Sequence, residues 1–251
     1  MNITGVIITF NEERNIERCI TSLKNVCDEI IVLDSFSTDQ TEAICRALHV
    51  KFLQHAFDGH IQQKNRALQL AETEWVLSLD ADEALTDELS DSILKVKQNP
   101  SGEAYAFNRL TNYCGHWVKH CGWYPDTKIR LVKKDGAQWT GVNPHDRLER
   151  IDQGKVETLT GDLLHYSYYT KEDHFKQIEY FGNIASKELF DQGKNISLAM
   201  LYVKVGNQFI KSFLIKLGML DGKTGFLISI RSAYATYVKY RKLRMLNQPS
   251  R

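Results

Sequence analysis

The sequence predicts an α/β fold, with a mainly parallel central sheet covered by helices and a helical extension after it. Three observations carry that prediction. Short apolar runs alternate with segments of helical period from residue 3 to residue 80, in the order β-α-β-α-β-α-β. Polar side chains recur where the runs end: Thr9 and Asn11, then Asp34, then Asp80 and Asp82. The last third reads as amphipathic helices rich in Lys and Arg.

Taken in order, residues 3–10 form an apolar strand, followed by a helix with Ile16, Ile20, Leu23 and Cys27 at helical spacing. Residues 29–33 form the second strand, ending at Asp34. The polar turn 35–39 then starts a helix through Ile44, Ala47 and Leu48. A short strand at 51–54 and a helix near 61–71 lead into the strand Trp75-Val76-Leu77-Ser78-Leu79. Residues 86–99 read as a helix with Leu89, Ile93 and Val96 on one face, stopped by Pro100. Strands at 105–110 and 128–133 enclose an aromatic-rich loop, and Gln138-Trp139-Thr140 is strand-like before a Gly-Val-Asn-Pro turn. Helices at 172–192, 198–217 and 226–246 complete the chain, the last two split by residues 221–225.

Composition sets the outer bounds. The 251 residues suit one large domain or two small ones, and 43% hydrophobic with 25% charged residues is the balance of a globular protein. The net charge of +1 gives no reason to expect nucleic acid as a partner. It conceals an asymmetry, however. Residues 201–251 hold ten Lys or Arg against one acid, Asp221, leaving 22 basic and 30 acidic residues before them. A basic tail on an acidic body suggests an anionic surface as the tail's partner. Five cysteines without a Cys-x-x-Cys pair fit a reduced, cytoplasmic setting. The first 14 residues lack the features of a signal peptide, and no apolar run reaches the roughly 18 residues a membrane span needs.

The sharpest chemical signal is Asp80-Ala81-Asp82-Glu83 at the end of the fourth strand. In an open α/β sheet, ligands collect outside the carboxyl ends of the strands. With a period of two, Asp80 and Asp82 would share one face of that strand. Two close carboxylates are stabilised by a cation, and Mg²⁺ on a diphosphate is commonly held this way. The plainer reading is an acidic helix start, with Asp87 and Glu88 near the positive helix end. Polar groups at three strand ends on one rim imply a nucleotide-sized ligand. Asp34 suits hydrogen bonds to a base or ribose, or else a turn that precedes a helix. The dinucleotide and Walker glycine motifs are missing, so base and ribose contacts with a metal on the diphosphate would do the binding.

Ile8-Thr9-Phe10-Asn11-Glu12-Glu13, the stretch from Val32 to Thr41, Gln63-Lys64-Asn65-Arg66-Ala67-Leu68 and Leu79-Asp80-Ala81-Asp82-Glu83 resemble successive motifs of family 2 glycosyltransferases with the GT-A fold. Gly122-Trp123-Tyr124-Pro125-Asp126, Ile129-Arg130-Leu131 and Asn143-Pro144-His145-Asp146 resemble a narrower branch. That branch contains bacterial lipopolysaccharide core transferases, which add a hexose, often glucose, to the inner-core heptose. The resemblance implies a nucleotide-sugar donor such as UDP-glucose, with Mg²⁺ or Mn²⁺. It places Thr9, Asn11 and Glu12 in a nucleotide-contacting loop, makes Asp34 the base-contacting acid, and sets Lys64 and Asn65 near the uracil and diphosphate. Asp80 becomes the ribose-contacting acid and Asp82 the metal ligand, while Glu83 replaces a more frequent Asp. His165 is a candidate metal or phosphate ligand, since GT-A enzymes often bring a distal His to the cation; a lone His beside tyrosines is more often structural.

Inverting transfer needs a carboxylate that takes the acceptor's proton. Asp146 and Asp126 are the two candidates, and the branch's His-acid pair favours Asp146, with His145 as its orienting neighbour. Trp117, Trp123 and Tyr124 suit a sugar's apolar face or the anchoring of their own loop. Cys114, His116, His120 and Cys121 sit in a Gly- and aromatic-rich stretch that argues against a zinc site. The expected organisation is a GT-A catalytic domain over residues 1–170, divided at 99/100 into nucleotide and acceptor halves, then a basic helical extension over 171–251. That extension suits peripheral contact with the cytoplasmic face of an inner membrane carrying a lipid-linked acceptor, or a packed helical hairpin. Three alternatives to the lipopolysaccharide reading remain: a transferase for another cell-surface polysaccharide, a sugar-phosphate nucleotidyltransferase, and a non-catalytic nucleotide-sugar-binding protein.

Overall fold

A computed structural model describes residues 1–142, 145–152 and 154–248, with the side chains of Val142 and His145 outside the description. Asn143, Pro144 and the proposed orienting role of the His145 side chain therefore lie outside the described residues. The chain divides into two units, one of Met1–Leu110 with Asp126–Tyr166, the other of Thr111–Pro125 with the residues from Ser167 on. The aromatic segment 111–125, which the sequence reading grouped with the acceptor half, clusters with the C-terminal helices.

The first unit begins β1 (Ile3–Thr9), α1 (Ile16–Leu23), β2 (Glu29–Asp34), α2 (Thr41–Ala47), β3 (Lys51–Gln54), α3 (His60–Leu70) and β4 (Trp75–Asp80). It continues with β5 (Glu83–Leu85), α4 (Asp87–Gln98) and β6 (Ala104–Tyr113), whose last residues pass into the second unit. There β7 (His116–Val118) pairs with them. Back in the first unit run β8 (Asp126–Lys133), β9 (Ala137–Val142), β10 (His145–Arg150) and β11 (Val156–Tyr168), whose last two residues belong to the second unit. The main sheet has the order β3-β2-β1-β4-β8-β6-β11-β5, and β9 and β10 form a separate antiparallel pair. The four strands read from the first half are parallel to one another, while β8 runs antiparallel to both β4 and β6.

Alternation along the parallel strands builds two cores. Ile3 and Ile7 of β1, Val32 of β2 and Trp75, Leu77 and Leu79 of β4 pack with Ile16, Ile20 and Leu23 of α1 and Leu89 and Ile93 of α4. Val6, Ile31 and Val76 point the other way, onto Ala67 and Leu68 of α3 and Trp139 of β9. A fully buried side chain of this size contributes about 1.5–3 kcal/mol, so these faces fix the register of every strand end.

Two readings are corrected here. Strand β4 stops at Asp80, and Ala81 and Asp82 form a turn into β5. The period-two argument that put both aspartates on one strand face does not apply. Strand β11, unassigned from sequence, fits beside α4 through Gly161. Its φ of +95° and its contact with the Leu89 backbone leave no room for a Cβ.

The second unit holds α5 (Lys171–Asp191), α6 (Leu198–Ile210), a π-helical turn (Lys211–Ile215), a 3-10 turn (Gly218–Asp221) and α7 (Gly222–Leu246). Residues 222–225, read as a break, are the first turn of α7, and the preceding helix ends sooner than residue 217. A capping box at Thr170 and Asp173 starts α5. Glycine at position 182 admits the Val238 side chain of α7 at close range.

Candidate functional site

The strand ends of the first unit assemble a charge network from residues far apart in sequence. Lys64, on α3 and almost fully buried, places Nζ 2.8 Å from Asp80 Oδ1 and 2.7 Å from Asp146 Oδ2. It joins the end of β4 to β10. Trp139 forms one wall, with its ring centroid 4.2 Å from Lys64 Nζ and 5.3 Å from the Arg130 guanidinium carbon. Burial opposes the charge on Lys64, but Asp80 and then Asp146 outweigh it and raise the pKa. Burial likewise works against Asp80, yet Lys64 and Arg130 hold its carboxyl well below the usual carboxylate range.

Arg130 and Glu83 are the residues sequence reasoning did not assign. Arg130 Nη2 reaches Glu83 Oε1 at 2.8 Å and Asp80 Oδ2 at 3.3 Å, and its Nε donates to Glu83 Oε2 at 3.0 Å. The Asp80 backbone N–H also donates to Glu83 Oε2, at 3.1 Å. Glu83, whose side chain is fully buried, therefore braces the turn from inside and points at arginine. An arginine inside the apolar run Ile129-Arg130-Leu131-Val132 was the available signal, since a buried guanidinium requires carboxylates.

The two candidate bases take different partners. Both oxygens of Asp126 are engaged: Arg109 donates to Oδ2 from Nε at 3.0 Å and from Nη2 at 2.6 Å, and Lys128 Nζ lies 2.9 Å from Oδ1. Burial would raise the Asp126 pKa, but Arg109 and Lys128 together lower it. Asp146 meets Lys64 through one oxygen.

Asp82 stands apart in its turn, with Oδ2 3.2 Å from His165 Nε2 of β11. His165 pulls the Asp82 pKa down against the opposing effect of burial. Among the described residues, no group of three or more His, Cys, Asp or Glu side chains is disposed to hold a metal by itself. The Asp82–His165 contact brings together a carboxylate and an imidazole, donor types that would hold a divalent cation.

The loops after β1 and β2 are tied together. Asn11, at a left-handed φ of 55°, accepts from the Thr38 backbone N–H at 2.8 Å, and its own N–H donates to Ser37 Oγ. Glu12 is linked through its backbone N–H to Thr41 Oγ1. Burial raises the Glu12 carboxyl pKa, a hydrogen bond from Asn15 opposes the shift, and Asp82 adds to it. Asp34, fully buried, accepts from the Ser37 backbone N–H, Ser37 Oγ and Gln54 Nε2, so local turn contacts occupy it. Asn65 exchanges both ends of its amide with the backbone of Trp139, at 2.9 Å each way, and acts as a clamp between α3 and β9. Among the described residues, Thr9 Oγ1 and Trp139 Nε1 are buried without a hydrogen-bond partner, two unmet polar atoms on elements of this site.

In the second unit, Trp123 packs edge-to-face against Tyr113 and His174 and tilts onto Tyr168, anchoring its own loop. His120 is held by Asp221, with Nδ1 2.9 Å from Oδ1. The Cys121 thiol donates to the Gly225 carbonyl oxygen.

The model of the family described as glycosyl transferase family 2 matches residues 4–178. The chain belongs to that family. This glycosyltransferase is 33% identical to an uncharacterized glycosyltransferase of Rickettsia typhi, across 99% of this chain and 89% of the relative. It is 23% identical to the lipopolysaccharide core biosynthesis glycosyltransferase LpsC of Rhizobium meliloti, across 96% of this chain and 91% of that protein. Among solved structures, residues 1–349 of S. aureus TarS in complex with UDP-GlcNAc match with a TM-score of 0.50 and 15% identity, covering 98% of this chain and 90% of that one. The fold is α/β of the GT-A type, with C-terminal helices.

Proposed function

We propose that this glycosyltransferase moves a hexose, glucose from UDP-glucose, with inversion onto a heptose of a lipopolysaccharide inner core, working at the cytoplasmic face of the inner membrane as a peripheral protein. The observation that carries the chemistry is the Lys64 ammonium shared between Asp80 and Asp146. It couples the acid proposed to meet the donor's ribose to the acid proposed to meet the acceptor. Asp146 takes the proton of the acceptor hydroxyl while the new C–O bond forms at the anomeric carbon and the bond to the diphosphate breaks. Arg130 and Glu83 hold Asp80 in place. The unmet Thr9 Oγ1 and Trp139 Nε1 support a polar ligand at these strand ends. Asp82 and His165 would hold a divalent cation, Mg²⁺ or Mn²⁺, which when bound neutralises the departing diphosphate. Likeness to LpsC supports the lipopolysaccharide acceptor.

The test is product analysis with UDP-glucose, a divalent cation and truncated lipopolysaccharide ending in inner-core heptose. The reading predicts release of UDP together with glucose on the acceptor, both abolished by a chelator. Pyrophosphate release would indicate a nucleotidyltransferase, and donor binding without turnover would indicate a binding protein.

A further inference from the structure

Twelve of the 24 large apolar side chains exposed among the described residues fall within residues 198–230 of the second unit. They crowd the turn between α6 and α7, where Leu214, Ile215, Leu217, Met219 and Leu220 are all exposed, Ile215 by 69%. The same stretch carries four exposed lysines, Lys204, Lys211, Lys216 and Lys223. Its single acid, Asp221, is sealed against His120, whose backbone N–H donates to Oδ2 at 2.9 Å. The surface offered outward is therefore aliphatic and cationic, with no accessible carboxylate.

The turn has a packed frame beneath it. Ser229 Oγ donates to the Gly225 carbonyl and to Ser212 Oγ, and the Cys121 N–H donates to the Lys216 carbonyl. The backbones of positions 218 and 225 approach too closely to admit a Cβ at Gly225. Leu217 adopts a left-handed φ of 52° with its side chain 45% exposed. The apolar groups are thus held outward on a fixed scaffold. By contrast, cations at the end of α7 already have partners. Lys242 pairs with Glu179 at 2.6 Å and Arg244 donates to the Ile196 carbonyl; Lys239 and Arg241 lie over tyrosine rings, as Lys204 also does, 5.4 Å from that of Tyr240.

We infer that residues 198–230 form a docking surface for an anionic phospholipid leaflet, with the aliphatic turn entering the headgroup–acyl boundary and the four lysines meeting lipid phosphates. Protein interfaces are depleted in Lys and carry hydrogen-bonding groups at their rim, whereas lysines interleaved with aliphatic side chains and no accessible acid suit a negatively charged bilayer. This deepens the peripheral-membrane reading above, on which it rests, by naming the surface that performs it.

The test is co-sedimentation of the full chain with phosphatidylcholine vesicles, with and without phosphatidylglycerol. The wild type should bind only the anionic vesicles and should release as salt shortens the reach of surface charge to less than about 8 Å. Ile215→Ser with Leu220→Ser should lower partition by more than about tenfold, and each Lys→Gln at 211 or 216 by about fivefold. Lys239→Gln should leave it unchanged. Unchanged melting temperatures and UDP release with a soluble acceptor show that the variants fold and that the catalytic reading stands separately. Equal vesicle binding by the Ile215/Leu220 variant and wild type overturns the proposal. So does a concentration-dependent dimer that these substitutions disrupt, seen by light scattering without vesicle binding, since a second copy then covers the face.

Discussion

Asp146 shares one ammonium with Asp80, while Asp126 has an arginine on one oxygen and a lysine on the other. Both aspartates lie in the first unit, and each is linked to a residue of the Asp80–Glu83 turn, Asp146 through Lys64 and Asp126 through Arg109. The difference lies in what the cations leave available. Arg109 spans from Asp126 to the buried Glu83, a pairing along β6 and β8 that holds two strands and depresses the basicity of Asp126. Lys64 instead ties Asp146 to the acid proposed for the donor. One arm braces two strands, and the other joins the two acids proposed to meet donor and acceptor.

Arg130 is where the two arms meet, and removing it should produce the largest change in stability. Arg130→Met leaves the fully buried Glu83 with the 3.5 Å contact to Arg109 and the Asp80 backbone N–H but no close cation, and breaking such a pair costs about 3–5 kcal/mol. Urea denaturation should record that loss. The double variant Arg130→Met, Glu83→Leu should recover much of it, because no buried charge is then left alone. A loss below about 1 kcal/mol for the single variant would mean that the brace is not a structural one.

A smaller effect concerns acid. The folded-state pKa of Asp80 is depressed below its unfolded value of about 3.9, so its contribution to stability is complete above that value. It is lost as pH falls through the unfolded value towards the lower folded one. Wild type should therefore melt higher than Asp80→Asn at neutral pH, and the gap should narrow below about pH 4. Calorimetry across that window checks it, and a constant gap would contradict the ion-pair account.

The sequence was most legible where period and function agreed. The elements from β1 to α4, with the exception of β5, follow from apolar runs and helical period, and Thr86 caps α4, accepting from the Leu89 N–H. Strand β11 was not legible, because Val156–Tyr168 is largely polar and only Leu163 in it is fully buried. The Asp80–Asp82 pair was misread as geometry, since one residue decides whether a strand continues or turns. The Lys64–Asp146 bridge joins positions 82 residues apart, which no local pattern reports. Asn65 and Asp34 were read as ligand contacts, and the structure adds a clamp at one and a turn at the other that composition did not report. In the tail, charge counting took residues 201–251 together, whereas the structure distinguishes the exposed lysines near the α6–α7 turn from Lys242 and Arg244, which are engaged.

The assignment of roles to the two arms can be measured directly by comparing Asp146→Asn with Asp126→Asn in turnover and in affinity for UDP-glucose. The account predicts that Asp146→Asn keeps donor affinity near that of wild type and loses about 10²–10⁴ in kcat, as loss of a general base should. Asp126→Asn should retain kcat within about tenfold while losing stability. Collapse of kcat in Asp126→Asn alone, with Asp146→Asn near wild type, would contradict the account and exchange the two roles.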